Sequence, residues 1–252
     1  MGLFKGGNPA ISEKTFEKVH QLEGEQMTVR GTMNKFGMMM LFLFAAAAFT
    51  WNIFYIQGPE AVTPWMWGSM IVGFILALVI IFKKTWAPYL ALGYALCQGL
   101  FLGAISAVYN SVFAETYPSI IIHAVLLTMG TAAAMYFLYS TGIIKATNTF
   151  KKVVLIATAG IGVFYLASII MRMFGMQMPY LHESSPIGIG ISLVIVVVAA
   201  LNLILDYDMI DQGAANGAPK YFEWYGAFGL LVTLVWLYLE ILRLLSKLTS
   251  RN

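Results

Sequence analysis

An all-α polytopic membrane protein is the fold class this sequence predicts, and three observations predict it. Of the 252 residues, 60% are hydrophobic and only 11% are charged. The mean hydropathy of +0.77 lies far outside the usage of soluble domains. The apolar residues also come in seven runs, each near the roughly 20 residues that a helix needs to cross a bilayer at about 1.5 Å rise per residue.

The runs lie near 36–57, 63–82, 87–109, 118–140, 152–174, 186–207 and 225–246. The connectors are short and only the first 35 residues read as soluble. The expected organisation is therefore an N-terminal segment, 1–35, followed by a seven-helix transmembrane domain, 36–252, with the function inside the membrane. The N-terminal stretch ISEKTFEKVHQLEGEQMTVRGTMNK reads either as a short amphipathic helix on the membrane surface or as a docking tail.

Span one begins too late and runs too long for a cleaved signal peptide. Its Met38 to Met40 run reads as adaptable core filling rather than a metal site. Span two ends at Lys83 and Lys84. Span three carries Ala95, Gly99, Gly103 and Ala107 every four residues, one helix face where backbones can approach closely. It also holds Gln98 and Cys97, the only cysteine, so no intrachain disulfide is possible. Gln98 and, in span four, His123 are candidates for bonds between helices. Span six opens a similar small-residue face at Gly188 and Ser192, and span seven does so at Gly226 and Gly229. Trp51, Trp65, Trp67, Trp86, Tyr117, Trp224 and Tyr225 fall near span ends, as interfacial anchors do.

Charge gives the orientation. Lys5, Lys14, Lys18, Arg30, Lys35, Lys83, Lys84, Lys145, Lys151, Lys152 and Lys220 all fall on one side, which the positive-inside rule makes cytoplasmic together with the N-terminus. Arg172, Arg243, Lys247 and Arg251 fall on the other, so span seven is expected to depart from a simple crossing. The basic residues follow topology and form no aromatic-laced patch, so nucleic acid is not an expected partner.

Ionisable residues inside a membrane are expensive and are the default functional candidates. Two qualify: Asp206, ending the apolar run in LNLILDYDMIDQG, and Glu240 in VWLYLEILRLL. At about 100° per residue, Asp206 shares a face with Asn202, whereas Asp208 points nearly opposite and shares its face with Asp211. Asp208 and Asp211 then read as a solvated helix end before the breaker-rich QGAANGAPK. Arg243, three residues after Glu240, can simply neutralise that acid within the helix. The alternative is that Asp206 and Glu240 converge as a carboxylate pair that titrates as a unit. Such a pair, helped by Asn202, would make a weak Ca²⁺ site along a conduction path, short of the six to eight oxygens of a tight cage.

The segments LILDYDMID and VWLYLEILRLL, the seven spans and YALCQGLFLGAISAVY resemble the Bax inhibitor-1 family, and NPAISEKTF with TVRGTMNKF resembles its bacterial branch. The resemblance implies six helices around a central seventh, and a pH-sensitive calcium leak governed by acids in the last two spans. It selects Asp206, with Ile210 four residues on, and Glu240 in its LYLE context, and it gives Lys83 and Lys84 the place of a basic latch. Glutamate for aspartate in span seven is a mild departure. Lysine lacks arginine's bidentate fork, which weakens such a latch. The long connector before span seven puts Glu240 about 21 Å deep if the helix starts near Gly226, whereas Asp206 is near the surface.

A second class is an interaction protein regulating a membrane quality-control protease through the N-terminal segment, as the resemblance to bacterial relatives implies. An intramembrane aspartyl protease is disfavoured: Tyr207-Asp208 supplies half of its signature and the Gly-x-Gly-Asp half is absent. No enzyme and no resident cofactor are expected. The implied location is the bacterial inner membrane.

Overall fold

The computed structural model describes residues 25–176 and 185–251. They form seven long helices: α1 (Val29–Gln57), α2 (Pro59–Phe82), α3 (Ala87–Val112), α4 (Ile120–Ser140), α5 (Asn148–Met173), α6 (Pro186–Ala215) and α7 (Phe222–Thr249). A short 3-10 turn, Lys84–Trp86, joins α2 to α3. All seven are long and apolar enough to cross a membrane.

Local chemistry sets the boundaries. Thr28 caps α1 by accepting a hydrogen bond from the Gly31 amide at 2.9 Å. The chain then turns sharply at Gly58, whose φ of 91° suits glycine, and Pro59 opens α2 with its φ already fixed. Thr147 and Ser185 cap α5 and α6 in the same way.

Helix ends outrun the apolar windows at the basic end of the bundle. Helix α1 starts at Val29 rather than 36, so the N-terminal segment ends earlier than the sequence suggested. Helix α6 runs on to Ala215, so Asp208 and Asp211 lie within it instead of ending it. Hydropathy measures immersion, whereas a helix needs only its own backbone bonds and no breaker. Most of the expected amphipathic or docking segment lies outside the described residues, and Glu25–Thr28 is extended.

Helix α7 is central. In the most apolar 18-residue stretch of each helix, 61% of α7 residues are buried against 6% in α5. It packs directly against α1, α3, α4 and α6. Helix α2 lies outside, against α1 and α3, and α5 packs on α6. The ring around α7 is thus less even than six equal neighbours.

The span-three stripe makes the closest approach. A β-carbon at Gly99 would overlap the Leu43 carbonyl, and one at Gly103 the Ala47 carbonyl and the Thr50 hydroxyl. Thr50 Oγ1 donates to the Leu100 carbonyl at 3.0 Å. Without a hydrophobic drive between helices in lipid, this α1–α3 seam rests on such contacts. Of the run Met38 to Met40, Met39 is fully buried and fills space in the core, whereas Met38 is exposed.

Candidate functional site

Three polar stations lie along α7. The middle one is Asp206. Its Oδ1 faces Gly229 of α7, where a β-carbon would stand 3.8 Å away, and the missing side chain leaves the carboxyl room. Thr233, one turn further and buried, gives its hydroxyl to the Gly229 carbonyl at 3.3 Å. Asp206 Oδ2 is buried and has no hydrogen-bond partner among the described residues. Leu203, Ile204, Tyr207 and Ile210 are buried on the same stretch of α6, so the oxygen sits in a largely apolar wall. An unpaired carboxylate there is expensive.

Asn202 does not join it. Its amide donates to Thr158 Oγ1 of α5 at 2.8 Å and to the Val198 carbonyl at 2.8 Å. It is a tie between α6 and α5, while Asp206 looks toward α7.

Glu240 forms the station at the far end of α7 and is 2% exposed. Tyr165 of α5 donates its hydroxyl to Oε1 at 2.7 Å, and Arg243 Nη1 lies 3.0 Å from both carboxylate oxygens. The guanidinium also stacks over the Tyr165 ring and donates to its hydroxyl. One turn on, buried Lys247 donates to the Gly188 carbonyl at 3.0 Å and to Ser192 Oγ at 2.8 Å. Arg243 and Lys247, two of the far-side basic residues, therefore have partners inside the bundle. Span seven is one continuous helix.

Asp206 and Glu240 do not meet. Asp206 lies at the level of Gly229 and Thr233, and seven residues from Thr233 to Glu240 are about 10 Å of helix. The offset follows from the early start of α7 at Phe222. Among the described residues no group of three or more histidine, cysteine or acidic side chains could hold a metal ion. The lysines expected to form a latch are also elsewhere. Lys83 lies 4.6 Å over the Trp86 ring, and Lys84 lies 5.2 Å over Tyr225 and 5.9 Å over Phe222.

The third station, at the basic end, is Glu223. It is fully buried and accepts from the Thr28 amide at 2.9 Å, from the Thr28 hydroxyl at 3.0 Å and from Lys35. Lys220 stands 3.4 Å away. Desolvation is the largest single effect on the Lys220 ammonium and works against it, but the carboxylates of Glu223 and Glu25 together outweigh it and hold its pKa above the ordinary lysine value. That group therefore stays charged through neutral pH. Nearby, Asp208 pairs with Lys151 of α5 and accepts from Gln212 Nε2 at 2.7 Å. Asp208 and Asp211 both line an open crevice with Tyr139, Lys145 and Thr147.

Glu223, Tyr165 and Thr233 escaped the sequence reading, which took Lys151 and Lys247 only as markers of topology. Glu223 sits in the first turn of its helix, where an acid passes for ordinary dipole compensation. Tyr165 lies mid-span, where a ring is unremarkable. Only the Arg243 spacing pointed to the pairing actually adopted.

Seven apolar helices, the last of them buried among the others and carrying internal acids, define an integral, multi-pass membrane protein. Residues 8–250 match the family described as Bax inhibitor 1 like, and the chain belongs to that family. No curated protein and no solved structure matches it.

Proposed function

We propose that the protein is a pH-sensitive cation leak, with Ca²⁺ as the ion carried, in which Asp206 is the titrating group on the path and Glu240 a second acid held by Arg243. The supporting observation is the unpartnered, buried Asp206 oxygen beside the gap left by Gly229. A proton or a passing cation would satisfy it, and a weak single-carboxylate station suits conduction better than storage. Arg243, not Lys83 or Lys84, takes the part of the latch, because it already neutralises Glu240. The charged groups nearest in sequence along the flanking helices are Asp208 with Lys151 and Glu223 with Lys35, each pair already satisfied. With its basic end facing the cytoplasm, the chain would sit in a bacterial inner membrane.

The test is calcium flux into proteoliposomes between about pH 5 and about pH 8. The parent should give flux that varies with pH, and Asp206→Asn should remove the variation. Flux indistinguishable from empty liposomes, or a pH profile unchanged by Asp206→Asn, would sink the reading.

A further inference from the structure

Above Asp206, on the side of the basic end, the seam between α6 and α7 is closed in layers. One turn up, Gly226 of α7 is covered by Ile210 Cγ1 and by Thr32 Cγ2 of α1, which would stand 3.1 Å and 3.2 Å from a β-carbon there. The next layer is Met27, 4% exposed, whose sulfur would lie 2.7 Å from a β-carbon on Gly213. Met27 belongs to the extended segment Glu25–Thr28 that precedes α1. That strap is tied across the α6–α7 connector by two backbone bonds, Met27 N to Ala218 O at 2.8 Å and Lys220 N to Glu25 O at 2.9 Å. Between them Gln26 and Pro219 pair as an antiparallel bridge. At its C-terminal end the strap is pinned by Glu223, which binds Thr28 of the strap and Lys35 of α1 together.

We propose that Glu25–Thr28 is a lid over the α6–α7 seam, closed in this structure, whose Met27 plugs the route from the basic end to Asp206 and whose catch is Glu223. The idea builds on the reading of Asp206 as the group on the path, but it concerns access alone. Three features argue for a lid rather than a simple helix cap. A cap needs only the Thr28 hydroxyl, whereas here the strap crosses to a different part of the chain. The glycine at 213 leaves the space that the methionine fills. The catch is made of charge-assisted bonds, which are strong when formed and are lost together when one partner goes. Short extended segments held by few bonds are also the parts of a fold that open locally.

Access is read directly. In a Cys97→Ala background, Thr233→Cys places a thiol beside Asp206, and its labelling by a charged maleimide is followed by peptide mass spectrometry on the purified full chain. Gln26 and Pro219 form a non-hydrogen-bonded antiparallel pair, whose α-carbons stand about 4.5 Å apart, within reach of a disulfide. Adding Gln26→Cys and Pro219→Cys therefore allows the strap to be locked by oxidation and freed by reduction. Labelling at position 233 should be slow when locked and about ten-fold faster or more when freed, as for a closed state released by loss of coupling. Glu223→Gln without the lock should give a rise of the same sense. Equal rates in the locked and freed states would overturn the lid, and no effect of Glu223→Gln would overturn its role as the catch. Labelling that responds to the lock in a protein without calcium flux would leave the lid standing and remove the leak.

Discussion

Tyr165 and Glu240, from α5 and α7, share a hydrogen bond of 2.7 Å, and the same hydroxyl receives Arg243. One tyrosine thus completes an acid–base pair on the neighbouring helix. Breaking a buried ion pair by removing one member leaves a charge without compensation. Arg243→Met should destabilise the protein by about 2–3 kcal/mol, below the usual cost of a fully buried pair because the Arg243 side chain is 31% exposed. Adding Glu240→Gln should restore much of the loss. Thermal unfolding in detergent, read as a double-mutant cycle, checks this, and additive losses would show that the pair is not coupled.

Gly31 lies against the Glu223 carboxylate so closely that any β-carbon would overlap it. Gly31→Ala should cost about 1–3 kcal/mol through forced displacement. Gly37, with nothing within 4 Å of such a carbon, should accept alanine at no loss in the same unfolding assay.

The α1–α3 seam makes a parallel comparison. Gly99→Ala and Gly103→Ala push a methyl into carbonyl oxygens of α1 and should each lower stability by at least about 1 kcal/mol. Gly130→Ala and Gly160→Ala, where a β-carbon meets open space, should be neutral or slightly favourable by helix propensity. Denaturant midpoints for the four variants decide it.

Lys151 and Asp208 pair at an edge where the lysine side chain is 33% exposed. Lys151→Gln should change stability by no more than about 1 kcal/mol, and the difference should shrink in high salt. A larger, salt-independent loss would mean that this pair holds α5 in place.

The number and order of the helices were legible because lipid imposes one simple demand, a long apolar run with its backbone bonds satisfied internally. The stripe Ala95, Gly99, Gly103 and Ala107 was legible for a related reason: close packing in lipid leaves few options besides small residues. Asp206 was singled out by periodicity, and its carboxyl does face the central helix. The partners of Glu240 divide instructively. Arg243 could be read from spacing along one helix, whereas Tyr165 is 75 residues away and no local pattern reports it. Glu223 was missed because its bonds to Thr28 and Lys35 cross 195 and 188 residues. Lys83 and Lys84, given the place of a latch, lie instead over aromatic faces, Trp86 for the first and Phe222 with Tyr225 for the second.

Helix α5 is bathed in the surrounding medium along most of its length, and its polar ties run from Lys151 to Asp208, from Thr158 to Asn202 and from Tyr165 to Glu240. Those positions on α5 recur every seven residues and so form one narrow line down a single face. Tilting the helix to suit a thinner or thicker bilayer strains the ends of that line first. The outermost of its ties are the ones that reach Asp208 and Glu240. Bilayer thickness therefore bears on Asp208 and Glu240 through α5.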